Sequence, residues 1–161
     1  MIYIYLLILS AFIILGAEII RKYSKKYKRA ISFRESLDLT GLPVITFYQG
    51  SNKFNFLFDT GATNSVINEA SIKDMQFTML QDLECEIYGM EGNIKKVGFA
   101  NIKFEKGLKY EDNFQIVDMS AAFDNVKSET GVTIHGILGN SFFQKYKYVI
   151  DYVDMVVYSR V

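Results

Sequence analysis

Phe56-Leu57-Phe58-Asp59-Thr60-Gly61-Ala62-Thr63 runs three apolar residues into a carboxylate, a small hydroxyl residue and a glycine. The apolar and aromatic content of 54–58 reads as a buried strand. That strand delivers Asp59 at its end, where a mostly apolar surround is expected to raise the carboxyl pKa. Thr60 adds a short donor and acceptor, and Gly61 lets the backbone turn tightly. Ala62 and Thr63 keep the turn small and place a second hydroxyl beside the carboxylate. Taken alone, Asp-Thr-Gly is an ordinary Asp-initiated turn that closes a strand. The context adds to it, because Ser65-Val66-Ile67 follows as a second strand-like run.

With those residues in place, Phe58-Asp59-Thr60-Gly61-Ala62-Thr63 resembles the active-site loop of the retropepsin-like aspartic proteases, the single-lobe relatives of pepsin. A second anchor far downstream, Ile134-His135-Gly136-Ile137-Leu138-Gly139-Asn140, resembles the family's hydrophobic-hydrophobic-Gly element, with a short helix after it at 140–145. The two anchors and the spacing between them span roughly residues 35–161. The resemblance implies a mostly β domain, a closed or partly open barrel with a short C-terminal helix, that hydrolyses peptide bonds. Asp59 is then the catalytic residue, with Thr60, Gly61 and Thr63 supporting its loop. Gly136, Ile137, Leu138 and Gly139 form an element beneath that loop, structural in role.

Composition narrows the classes. The 161 residues make room for one globular domain of usual size. Half are apolar, with 11 Tyr and 13 Phe, enough for a sizeable core. Eighteen basic residues balance eighteen acidic ones, so no global field favours nucleic acid. One cysteine, Cys85, excludes an intrachain disulfide and a cysteine metal cluster, and fits a reducing compartment. One histidine excludes a His-rich metal site, so neither metal nor cofactor is expected.

Residues 2–20 are nearly all apolar, with Glu18 the one charge. That length suits a helix crossing a hydrocarbon core of ~30 Å. No Lys or Arg precedes the run and Leu15-Gly16-Ala17 is a poor cleavage site, so the expectation is an uncleaved anchor and not a signal peptide. Six positive charges follow directly in Arg21-Lys22-Tyr23-Ser24-Lys25-Lys26-Tyr27-Lys28-Arg29. They put the C-terminal domain on the cytoplasmic side of a single-pass protein, with the basic run against anionic headgroups. The expected organisation is an anchor at 1–21, a basic juxtamembrane linker at 22–34 and the protease-like domain at 35–161.

Along the chain, 30–39 reads as a linker feeding the first strand. A hairpin at 42–48 and 53–58 turns at Gln49-Gly50-Ser51-Asn52, with the chain's one proline, Pro43, near its start. Residues 65–68 read as a strand and 69–75 as a helical turn. Strands at 79–88 and 94–104 flank Gly89-Met90-Glu91-Gly92-Asn93 as a second hairpin. In the resemblance that hairpin is the flap over bound peptide, with Gly89 and Gly92 at its tip and Tyr88 beside them. A strand at 114–118, a loop or short helix at 121–130, a strand at 132–138, a helix at 140–145 capped by Asn140, and strands at 148–152 and 155–158 complete the chain. Residues 158–161 are open to edge pairing in a dimer sheet.

The chemistry needs two carboxylates. Like charges a few ångströms apart cannot both ionise easily, so such a pair keeps one proton and serves as base and acid together. The chain has one Asp-Thr-Gly, and no other Asp is followed by Thr-Gly or Ser-Gly. Either a second Asp59 comes from an identical chain across a twofold axis, or the site is incomplete. The resemblance implies the homodimer, acting on a peptide or protein substrate, with each Thr60 bonding across the axis. The competing reading is a non-catalytic module that holds a peptide or partner on the same barrel. His135 reads as a packed residue, Cys85 as a small buried hydrophobe and Asp151 as a turn residue.

Overall fold

The computed structural model describes residues 2–27, 30–88 and 94–160. It begins with helix α1 (Ile2–Tyr27), within which Tyr3–Arg21 has a mean hydropathy of 2.3. This helix is long and apolar enough to cross a membrane.

The stretch read as a linker is instead structured. It forms strand β1 (Ile31–Ser32) and helix α2 (Arg34–Thr40), which ends on Gly41 at a φ of 70°. Phe33 between them is buried in the core, and its N–H donates to Met155 O. One aromatic among polar neighbours gave no periodicity, and α2 has no side-chain N-cap to announce it.

The hairpin β2 (Val44–Gln49) and β3 (Asn52–Phe58) forms where the alternation placed it, with Phe47 opposite Phe54 and Val44 opposite Leu57. Next come β4 (Ser65–Asn68), the single turn α3 (Glu69–Ile72), β5 (Phe77–Tyr88), β6 (Ile94–Glu105) and β7 (Lys109–Val117). Helix α4 (Ser120–Thr130) fills the segment left between loop and helix, and β8 (Gly136–Leu138) is shorter than the strand read at 132–138. Residues 133–135 bond to Asn55 instead: Asn55 Nδ2 donates to Thr133 O at 2.9 Å and His135 N to Asn55 O at 2.8 Å. Helix α5 (Asn140–Lys145), β9 (Tyr148–Asp151) and β10 (Val156–Ser159) follow.

Six of the described strands close a barrel in the order β2-β3-β8-β4-β7-β6, shut by the pairing of Tyr48 with Glu105. The domain is therefore a mostly β, closed barrel with a short C-terminal helix. Strand β5 hangs on the outer side of β6. Pairing of β6 with β7 stops at Phe99 opposite Gln115, whereas β5 and β6 stay paired to Tyr88 opposite Ile94. Beyond the barrel the hairpin is thus a two-stranded arm, with a register shift between Leu80 and Cys85. Gly89 and Gly92 lie outside the described residues.

The barrel is filled by aromatic rings. Phe47, fully buried, sits 5.0 Å from Phe104, 5.5 Å from Tyr110 and 5.9 Å from Phe56 between ring centroids. Edge-to-face packing of this kind adds to the roughly 1.5–3 kcal/mol that burying one such side chain contributes. Phe142 of α5 joins the same cluster, so the helix after Gly139 is anchored in the core. A second sheet has β10 in its middle, flanked by β1 and β9, with Ile31 opposite Val157. Val156 and Val157 are therefore paired on both sides within the chain, whereas Tyr158 and Ser159 pair on the β9 side.

Candidate active site

Strand β8 lies between β3, to which it is parallel, and β4, to which it is antiparallel. Phe58 pairs with Leu138, and Val66 with Ile137. The loop 59–64 that joins β3 to β4 must therefore cross the end of β8. This crossing explains Gly139, and the close approach of β4 explains Gly136. A side chain at Gly139 would put a Cβ 2.5 Å from Asn64 O and 2.9 Å from Ala62 O, and one at Gly136 would run into Val66 O. Ile137 and Leu138 between them are buried.

The crossing is also a hydrogen-bonded brace. Asp59 N donates to Leu138 O at 3.1 Å, Asn140 N to Ala62 O at 2.8 Å and Ser141 N to Thr63 O at 3.0 Å. Asn140 Nδ2 donates to Thr60 O at 2.8 Å. Asn140 is thus not the helix cap expected of it. Gly139 takes the cap position, and the Asn140 side chain ties α5 to the loop.

Asp59 is half-buried, and its Oδ1 accepts Gly61 N–H at 2.8 Å. That bond gives the carboxylate a polar partner within the mostly apolar surround expected for it. Thr60, Gly61 and Thr63 are exposed, so the tip of the loop is a free surface in one chain. Tyr88 ends β5, at the far end of the two-stranded arm. Among the described residues no three His, Cys, Asp or Glu side chains cluster as a metal site.

No family model matches the chain, and no curated protein does. Among solved structures it is similar to a retropepsin-like aspartic protease from Rickettsia conorii. Identity is 17%, the TM-score is 0.46, and the match covers 80% of this chain and 87% of that one. At that score the likeness carries no functional weight.

His135 sits where three strands meet. Its Nδ1 accepts Asn55 N–H at 3.0 Å, and its carbonyl accepts Asn68 N–H at 2.9 Å. An imidazole accepting at Nδ1 is unprotonated there. Burial pushes its pKa below the ordinary value, with Asp74 opposing and Lys127 assisting through space. A depressed folded-state pKa means the unfolded chain binds the proton first. The contribution is present above about pH 6.5 and is lost as pH falls through the folded-state value. With one histidine in the chain, the slope of stability just below pH 6.5 is expected to belong chiefly to it. Urea melts between pH 7 and pH 5 are expected to show that slope in the wild type and a shallower one in His135→Gln.

A cavity of about 510 Å³ opens away from the loop, among Gln49, Lys103, Lys109 and Tyr146, and takes in no residue of 59–64. Within it Gln49 Nε2 donates to Gln76 O and Lys103 O, and Tyr146 Oη donates to Glu111 O. Two buried polar residues were given no role by the sequence reading. They are Ser65 on β4 and Asp112 on β7, joined by a hydrogen bond of 2.7 Å. In Tyr110-Glu111-Asp112-Asn113-Phe114 the strand period puts Asp112 on the inward face with Tyr110 and Phe114.

Proposed function

We propose that the chain is an aspartic endopeptidase of single-lobe type, active as a homodimer in which two copies of Asp59 share one proton. The observation that supports it most is the bracing of Asp59. A carboxylate stands at a strand end on a loop tied to β8 and α5 by four hydrogen bonds, and the outer surface of that loop is exposed. A rigid, outward-facing acid is what a twofold pairing requires, because the same patch must meet itself.

In the paired site one Asp59 is ionised and the other is protonated. The ionised copy takes a proton from water as the oxygen attacks the substrate carbonyl, and the protonated copy donates to the carbonyl oxygen. Breakdown moves a proton to the departing nitrogen and breaks the C–N bond, leaving an acid and an amine. Gly61 N–H, held on Oδ1, orients each carboxylate. Thr60 of each loop reaches the other chain and locks the pair. The β5–β6 arm, paired as far as Tyr88 and Ile94, is the flap that covers the substrate.

Helix α1 anchors the enzyme, and the basic residues after it put the barrel on the cytoplasmic side. Confinement to a membrane raises the effective concentration of partner chains and so favours pairing. The test is cleavage of a peptide library by the full chain in detergent. Cleavage blocked by a statine-type transition-state mimic supports the reading. Binding of peptides without any cut returns the protein to the class of binding modules.

A further inference from the structure

Asp112 is a carboxyl group the proposed chemistry does not use, yet it is 6% exposed. Ionised groups are costly to bury, and an apolar residue of similar size is often no worse for stability. Its side-chain partner is a hydroxyl and not a cation: Ser65 Oγ donates to Oδ2 at 2.7 Å. Lys145 acts only through space, its Nζ being bonded to Glu111 O. Burial raises the Asp112 pKa, while the bonds from Ser65 and the Asn113 backbone and the charge of Lys145 oppose the rise.

The bond leads to the site. Ser65 is fully buried and is the first residue after the loop 59–64. Its Oγ also accepts the N–H of Gly139 at 3.3 Å. Gly139 is the residue over which the loop crosses, and the next two amides, of Asn140 and Ser141, hold Ala62 O and Thr63 O. A serine hydroxyl is a free rotor until an acceptor fixes its O–H. The Asp112 carboxyl on β7 accepts that O–H, which leaves the oxygen lone pairs for the Gly139 N–H.

We infer that Asp112 is a positioning residue for the Asp59 loop, acting through Ser65 and Gly139. The link spans β7, β4 and the start of α5, so it fixes the floor of the loop from outside the loop. It rests on the reading of Asp59 as the reactive group for its consequence in catalysis, but not for its consequence in loop order.

The experiment is amide hydrogen exchange on the full chain in detergent, for wild type, Asp112→Ala, Asp112→Asn, Ser65→Ala and the Asp112→Ala/Ser65→Ala pair. The amides of Gly139, Asn140 and Ser141 are expected to exchange at least ~10-fold faster in both alanine variants, with Phe47 and Ile102 in the barrel unchanged. The double variant is expected to be no worse than either single one, because the two residues act as one unit. Asn keeps an acceptor for Ser65 and is expected to restore slow exchange. In cleavage assays Asp112→Ala is expected to lower kcat with KM held. Floor amides that stay protected, or that speed up only in step with the barrel, overturn the inference, as does additivity in the double variant. Should Asp112→Ala not fold, Ser65→Ala decides, and protected floor amides there overturn it. If no chain cuts peptide, the endopeptidase reading falls while the exchange data still decide the positioning role.

Discussion

Asp59→Asn is expected to remove peptide cleavage, by ~10³-fold or more, while leaving the fold in place. The size follows from the shared proton. An amide can neither accept the proton of water nor pass one to the substrate oxygen, so both copies of the site lose their chemistry at once. The fold is spared for a local reason. Asp59 is half-buried, and the bond its side chain makes to the described residues is from Gly61 N–H to Oδ1, which an Asn oxygen also accepts. Single-turnover cleavage and a thermal melt of the same preparation check both halves. Activity retained in a well-folded Asn variant removes Asp59 from the mechanism.

The second large effect is on stability. Gly139→Ala is expected to cost about 3 kcal/mol or more, because overpacking against backbone has no cheap relief. The added Cβ meets Asn64 O at 2.5 Å, Asn64 C at 2.7 Å and Ala62 O at 2.9 Å. Moving those atoms away breaks the bonds from Asn140 N and Ser141 N that brace the loop. The melting temperature is expected to fall by roughly 10 °C for a domain of this size. A melt unchanged by the substitution contradicts the crossing of loop over strand described above.

Both effects trace to residues that announced themselves. The strand before Asp59 and the glycine pair around Ile137-Leu138 were readable because each local signal agrees with its tertiary role. The hairpins at β2–β3 and β5–β6 were readable from alternation and turn residues alone. What escaped has a physical reason in each case. The 30–39 segment is held by one buried ring, Phe33, and by pairing to residues more than a hundred positions away. The first half of β7 was hidden because an inward-facing Asp112 breaks the apolar alternation that marks a strand. Asn140 looked like a cap because Asn caps helices well, but its side chain serves the loop. The helix α4 was left between loop and helix, because Phe123 is its one buried residue.

The central claim is that one chain holds half of a reactive pair. Mixing wild-type and Asp59→Asn chains in equal amounts, with time to exchange partners in detergent, tests it most directly. If each site needs Asp59 from both chains, about one quarter of the wild-type rate survives, because only dimers of two intact chains cut. If a single chain suffices, about one half survives, and the account of a shared proton across a twofold axis is contradicted.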